Sequence, residues 1–458
     1  MSPAMAVTVH GGRPIQGAAV VPGDKSIAHR WLLLAATARG ASELRALPSA
    51  LDVRSTSKVL SALVPRDARD ALERWASGSG PTAEGDGSTS NKGEPRPVSL
   101  RLEAAGRAAL EAPTEPLDCG NSGTTIRLLT GVLASTAFSS VLTGDESLAS
   151  RPMERVAAPL REMGADVATT DGHPPVRIGG SPLRGIRHAP PVPSAQVKGA
   201  ILFAALDAEG ETTVVETAPT RDHTERALEH LGAPVHREGA AVSLRRFQHE
   251  GFAGSVPGDV SSAAFLVAAA AVTGGELRIE RVGLNPSRTH FLEVLARMGV
   301  RTHVEVEGEE LGEPVGTLSV DPVSTLRGTT VTERELPLVI DEVPILAMLA
   351  AHARGDTWFV DAGELRVKES DRLNGLSRAI RTLGGHAGVE RDDLVIAGGG
   401  LTGGLASSGG DHRMAMAVFV GGLAASGPVT IEGMEAADVS FPGFPRLLRE
   451  LGASVELA

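Results

Sequence analysis

Lys25, Ser26 and Arg30 stand close together in Val21-Pro-Gly-Asp-Lys-Ser-Ile-Ala-His-Arg30, just ahead of an apolar helix. Asp24 or Ser26 can cap that helix, which places Lys25 at its first turn. A helix N-terminus carries partial positive charge, so a lysine there is locally unfavourable. The placement makes sense if an anion lies between the ammonium and the backbone N–H groups. The arrangement recurs along the chain. Asn121 and Gly123 sit in Gly120-Asn-Ser-Gly-Thr-Thr-Ile-Arg127, followed by Arg151-Pro-Met153. Ser194-Ala195-Gln196-Val197-Lys198 and Thr220-Arg221-Asp222-His223-Thr224 come next. Asp341-Glu342, Lys368-Glu369-Ser370-Asp371-Arg372 and Asp411-His412-Arg413 complete the set. Lys and Arg at helix starts, beside exposed glycine N–H groups, suit an anion of several charges. A carboxylate in such a field can serve as a general base. Taken singly, each piece also reads as a cap or a solvated helix start. His412 has no neighbouring His or Cys in the sequence, so no metal site is expected.

The elements that must position these residues repeat. Six helices are apolar nearly all round and should be buried. They are expected at Trp31–Ala38, Ile126–Ala134, Val197–Leu206, Ala263–Val272, Pro344–Ala353 and Met414–Ala425. Each leads into a strand-like run. Between them, amphipathic helices are expected over Met153–Gly164, Arg221–Gly232, Arg288–Gly299, Glu369–Gly384 and Phe441–Gly452, and their closing glycines suit a C-cap. Asp52 to Leu63 reads as a sixth copy without its glycine. Six units, three plus three, predict an α/β chain of two similar lobes. Ser77 to Pro97 holds Ala83 as its only apolar residue and is expected to be a disordered surface insertion.

Composition narrows the function. Lys plus Arg is 44 against 56 Asp plus Glu, a net charge of −12, which disfavours a nucleic-acid binder. It leaves room for anionic substrates, because a local basic cluster can outweigh the global charge. No apolar run is long enough for a membrane span, and the start lacks a signal-peptide pattern. Cys119 is the only cysteine, so a reducing cytoplasm is expected and the thiol reads as a small buried residue.

Seven of these motifs, in order, resemble the 3-phosphoshikimate 1-carboxyvinyltransferase family: Val21–Arg30, Gly120–Thr124, Gly144–Leu148 with Arg151-Pro-Met, Ser194–Lys198, Arg221–Glu225, Leu365–Arg372 and Asp411–Ala415. The resemblance implies an enolpyruvyl transferase, inverse α/β barrel-like fold, with two lobes of three βαβαββ units around buried helices. One lobe would comprise residues 1–22 and 257–458, with the catalytic Asp and Glu and phosphoenolpyruvate arginines. The other would comprise 23–256, on the shikimate 3-phosphate side, with the insertion at 77–97. The reaction implied joins phosphoenolpyruvate to the 5-hydroxyl of shikimate 3-phosphate and releases phosphate. Lys25, Ser26, Arg30, Ser194, Ala195, Gln196, Arg221, Asp341 and Lys368 would hold shikimate 3-phosphate. Lys25, Asn121, Gly123, Arg151, Gln196, Arg372, His412 and Arg413 would hold phosphoenolpyruvate. Asp341 would take the hydroxyl proton. Glu369 would move the proton at C3, with Lys25 as its competitor. No cofactor, no metal, no nucleic acid and no membrane are expected, and the chain is expected to act as a monomer in the cytoplasm.

Three departures and two rival readings accompany the resemblance. Val439 and Ser440 stand where some relatives carry a lysine before Phe-Pro. Asn285-Pro-Ser-Arg288 carries Ser where one branch has Thr. The stretch between Leu63 and Val98 is atypical. That branch includes glyphosate-tolerant members, whereas Gly123 leaves room for glyphosate in the phosphoenolpyruvate site. The rivals are an enolpyruvyl transferase acting on another hydroxylated acceptor and a non-catalytic anion-binding relative.

Overall fold

Helices that are apolar on every side have no solvent face to offer, and here they pack by threes into the core of each unit. A computed structural model describes residues 6–77 and 99–457. The expected insertion, apart from Ser77, therefore lies outside the described residues. The six apolar helices are Lys25–Thr37, Gly123–Leu133, Ala195–Ala205, Val260–Thr273, Val343–Ala351 and His412–Gly422. All but the Val343 helix begin at least two residues before the apolar run, because polar residues open them.

The chain divides into two compact units. One holds residues 1–22, 258–308 and 314–458; the other holds 23–257 and 309–313. Each has one contiguous apolar core containing its three buried helices. Each also has three sheets among the described residues.

The repeat is clearest in the middle of the second unit. Leu117–Asp118, the Gly123 helix, Ser139–Thr143, the Glu154–Glu162 helix, Asp166–Thr170 and His173–Gly179 follow in order. Leu117–Asp118 pairs parallel with Ser139–Thr143, and the last two strands add antiparallel. Some repeats borrow a strand from far along the chain. Gly17–Val20 runs parallel to Leu277–Gly283. Ala6–His10 lies antiparallel between Val429–Glu432 and Ser454–Leu457, which ties the N-terminal segment into the unit that holds the C-terminal half. Ala253–Ser255 similarly pairs with Arg39–Arg45.

Close packing needs one glycine in particular. A Cβ on Gly131 would lie 2.1 Å from the Ala200 carbonyl oxygen, so the Gly123 and Ala195 helices approach to a distance only glycine allows.

Three expectations change. A further helix, Arg66–Ala76, precedes the insertion and buries Ala68, Leu72 and Trp75. The amphipathic helix after Arg288 is only Phe291–Arg297, which leaves Arg288 in a turn. Lys368 and Glu369 precede their helix, which starts at Arg372 behind the cap of Asp371.

Candidate active site

In the unit of residues 23–257, three buried helices open on the polar residues that the sequence singled out. Asp24 caps the Lys25 helix, accepting from Ser26 N at 2.7 Å and Ile27 N at 3.1 Å. Lys25 Nζ lies 3.0 Å from Asp52 Oδ2, so an incoming anion would share that ammonium with a carboxylate. Arg30 is buried and held in place: Nε donates to Thr224 Oγ1 at 2.7 Å and Nη1 to Ser26 O at 2.7 Å. Burial pushes its pKa down to about 10; Glu225 and Asp24 pull it back, and the Arg221 charge adds to the lowering.

The glycine turn builds a second cationic corner. Ser122 Oγ caps the Gly123 helix by accepting from Thr125 N. Arg151 Nη2 donates to Asn121 Oδ1 at 2.6 Å, and Asn121 Nδ2 donates to Asp145 Oδ2 at 2.8 Å. A Cβ on Gly123 would meet Arg127 Nη1 at 2.9 Å and Arg151 Nη1 at 3.0 Å. Gly123 therefore leaves its space to two guanidiniums. Arg127 was not among the expected site residues, although its place one helical turn after Gly123 could have signalled it. Arg127 Nη1 donates to Gln196 Oε1 at 2.5 Å, and Gln196 Nε2 donates to Thr124 Oγ1 at 2.9 Å. Gln196 thus ties the Ala195 helix to this corner. Ser194 Oγ is engaged as that helix's cap, accepting from Val197 N at 3.3 Å, and Ala195 is its first residue.

Behind these groups lie two buried polar chains. Lys198 Nζ sits 2.6 Å from Glu225 Oε1 and 2.9 Å from Glu216 Oε1. Burial raises the Glu225 carboxyl pKa, and Lys198 opposes that rise. His29 Nδ1, Thr56 Oγ1, Thr125 Oγ1 and Ser122 Oγ form the second chain, at 2.6, 2.6 and 2.7 Å. Thr125 donates to Ser122, so Thr56 donates to Thr125 and accepts from His29. The histidine is thereby fixed with its proton on Nδ1.

In the other unit the groups gather around Asp341. Glu342, not Asp341, occupies the cap position of the Val343 helix, and it makes no side-chain bond to that helix. The Asp341 carboxylate faces two cations: Oδ1 lies 3.8 Å from Arg372 Nη1, and Oδ2 lies 3.7 Å from Arg413 Nη2. Arg413 Nη1 also donates to the Asp341 carbonyl oxygen at 2.8 Å. Arg372, fully buried, forks onto Asp411 through Nε at 2.8 Å and Nη2 at 3.1 Å, and Nη2 also meets Glu369 Oε2 at 2.6 Å. Burial alone would lower its pKa; Asp411, Glu369 and Asp341 outweigh burial and raise it. Asp411 also caps the His412 helix, accepting from Arg413 N at 2.9 Å, and His412 is buried beside it. Lys368 is half-buried and has no hydrogen bond or close ion pair among the described residues. Burial pushes its ammonium pKa down, while Asp341, Glu364 and Glu369 pull it up.

Cys119 is buried, and burial followed by the Asp118 charge pushes its thiol pKa up, which is the opposite of an activated nucleophile. Among the described residues no three His, Cys, Asp or Glu side chains gather as a metal ion would require. None of the helices is long and apolar enough to cross a membrane among those residues.

One unit thus carries held cations at helix starts, of the kind that suits highly charged anions, and the other carries a carboxylate between two arginines, of the kind that suits proton transfer. The sequence matches the family model "EPSP synthase (3-phosphoshikimate 1-carboxyvinyltransferase)" over residues 9–88 and 98–448. A 3-phosphoshikimate 1-carboxyvinyltransferase from Acidithiobacillus ferrooxidans is 44% identical over 452 residues, 98% of either chain. One from Halorhodospira halophila is 45% identical over 453 residues, covering 97% of this chain and 96% of its own. The solved EPSP synthase of Acinetobacter baumannii superposes with a TM-score of 0.83 at 38% identity, covering 99% of this chain and 100% of its own. The chain belongs to the EPSP synthase family.

Proposed function

We propose that the chain transfers the enolpyruvyl group of phosphoenolpyruvate to the 5-hydroxyl of shikimate 3-phosphate. The products are 5-enolpyruvylshikimate 3-phosphate and phosphate, a step of the shikimate pathway towards aromatic amino acids. Family membership supports the reaction. The observation that carries the residue roles is the placement of Asp341 between Arg372 and Arg413.

In this reading Lys25, Ser26, Arg30, Ser194, Ala195, Gln196, Arg221 and Lys368 bind shikimate 3-phosphate. Asn121, Gly123, Arg151, Gln196, Arg372, His412 and Arg413 bind phosphoenolpyruvate, with Lys25 reaching both substrates. Arg127 joins the second group because it shares the space above Gly123 with Arg151. Asp341 takes the proton of the 5-hydroxyl as its oxygen attacks C2. Glu369 delivers a proton to C3, giving the tetrahedral ketal. Phosphate then leaves with the proton that Asp341 had taken, and C3 returns its proton to Glu369, which forms the enol ether. Arg30, Arg151, Arg372 and Arg413 are held by hydrogen bonds before the reaction, so they stabilise charge without reorganising. The same reading has the chain work as a monomer in the cytoplasm, on small anions and not nucleic acid.

Phosphate release from phosphoenolpyruvate, measured with and without shikimate 3-phosphate, tests the reaction. Asp341→Asn should slow turnover by ~10² or more, the scale of a lost general base. Shikimate 3-phosphate binding in calorimetry should persist. No phosphate release with this acceptor would overturn the substrate assignment, and near wild-type turnover in the variant would remove Asp341 from the chemistry.

A further inference from the structure

Asp341 and Glu342 are consecutive carboxylates, and the mechanism uses only the first. Glu342 is buried, 1% exposed. Its carboxylate accepts a hydrogen bond at Oε1 from Ser261 Oγ, in the first turn of the Val260 helix. Ser261 Oγ in turn accepts from Arg288 Nη2 at 2.5 Å. That guanidinium nitrogen lies 3.8 Å from both Glu342 Oε1 and Asp259 Oδ1, and Arg288 is itself buried. The turn that presents Arg288 is locked. Asn285 Oδ1 accepts from Ser287 N at 2.8 Å and from Ser287 Oγ at 2.7 Å, and Arg288 N donates to Asn285 O at 2.8 Å. This gives Asn285-Pro-Ser-Arg288 a structural purpose that anion binding left unexplained.

Stability alone does not account for the arrangement. Replacing a buried ion pair by apolar residues of similar volume is often neutral or stabilising. What such a network supplies is a fixed position. Asp341 is held at its carbonyl by Arg413. One peptide bond further on, residue 342 is held by Ser261 and Arg288. The backbone at the base is therefore pinned on both sides, which limits the drift of the Asp341 carboxylate. A displacement of about 1 Å can cost roughly 10²-fold in rate.

We propose that Glu342, anchored by Ser261 and Arg288, is a positioning residue that sets the Asp341 carboxylate for proton abstraction. The inference rests on the reading of Asp341 as the base, so Asp341→Asn is assayed alongside. Glu342→Ala should lower kcat roughly 30-fold while KM for both substrates changes less than about twofold. Glu342→Gln keeps an acceptor for Ser261 and should restore most of the loss. Ser261→Ala, which removes only the linking hydroxyl, should lower kcat about fivefold and guards against a Glu342 variant that does not fold. Arg288→Met combined with Glu342→Ala should be less harmful than the product of the two, as expected for one network. Calorimetric titration with shikimate 3-phosphate counts the folded sites, so kcat is expressed per competent site. Wild-type kcat in both Glu342→Ala and Ser261→Ala, with Asp341→Asn inactive, would overturn the positioning role alone. A loss fully explained by fewer binding sites would do the same. An active Asp341→Asn would overturn the base assignment and the inference with it.

Discussion

Arg372 and Asp411 are joined by two parallel hydrogen bonds, of 2.8 and 3.1 Å, with both side chains out of contact with solvent. Asp411 spends its remaining capacity on the backbone of the His412 helix and on Ser370 Oγ at 2.9 Å. One carboxylate thus sets both the guanidinium that faces Asp341 and the helix that carries Arg413. Asp411→Asn keeps an N-cap acceptor but breaks the charge pairing. It should destabilise the protein by about 3 kcal/mol, the usual cost of stranding a buried ion. Asp411→Ala should cost roughly 1 kcal/mol more through the lost cap. Urea unfolding of the three proteins orders them; an Asn variant as stable as wild type would show that the pair holds nothing.

Much of this was legible in the sequence, and what was not has physical reasons. Helices without a polar face can only be buried, so the six core helices and their threefold repetition could be read directly. A cap at Asp24 or Ser26 and another at Asp411 could be read because short polar acceptors stand just ahead of apolar runs, and the structure gives the first cap to Asp24. Asp341 also precedes such a run, yet Glu342 takes the cap position, and only the packed structure shows where each carboxylate turns. The Arg66–Ala76 helix is hard to read from sequence because its polar surface merges with the Gly- and Ser-rich stretch beyond it. The His223–Glu313 hydrogen bond of 2.7 Å joins residues far apart in sequence, and neither residue's local pattern points to the other. The same holds for Arg288 and Glu342.

Gly123 is the place where a single methyl group should be felt. Its Cβ would sit about 3 Å from the ends of Arg127 and Arg151. Both side chains are long enough to yield, so Gly123→Ala should change stability by less than about 1 kcal/mol. The displaced guanidiniums should nevertheless raise KM for phosphoenolpyruvate several-fold, and glyphosate inhibition should weaken more. Equal effects on the two ligands in steady-state assays would reject the steric explanation.

His29 should leave a signature in the pH dependence of stability. Burial, first, and the Lys25 and Arg30 charges lower its pKa to about 3, with Asp52 and Asp24 opposing. The neutral ring is therefore favoured in the fold. Its contribution is fully present above the unfolded value near 6.5 and is lost as pH falls from there towards 3. Each pH unit in that window costs about 1.4 kcal/mol. His29→Gln, which can still bond Thr56, should flatten the slope of unfolding free energy between pH 6 and 5 by about 1 kcal/mol per unit. Parallel slopes for variant and wild type would mean that the ring protonates in the fold.

Lys198 and Glu225 allow a test of whether the second unit is held by charge or by shape. The ammonium lies 2.6 Å from the carboxylate; Lys198 is 1% exposed and so is Glu225. Glu225 follows Thr224, which accepts from Arg30, so a shift of Glu225 would be passed to a proposed substrate ligand. Lys198→Met removes the cation and leaves Glu225 buried against its desolvation penalty. The expected cost is about 3–5 kcal/mol. Burial already raises the Glu225 pKa with the lysine present, so without it the carboxyl should take up a proton at higher pH. The variant should then lose stability as pH rises, since the unfolded chain ionises the acid more readily. Lys198→Met with Glu225→Met replaces both charges by apolar side chains and should recover most of the loss. If the pair serves mainly to fix Arg30, the double variant will regain wild-type unfolding free energy but keep a raised KM for shikimate 3-phosphate. Recovery of both quantities in the double variant would show that packing alone positions the arginine.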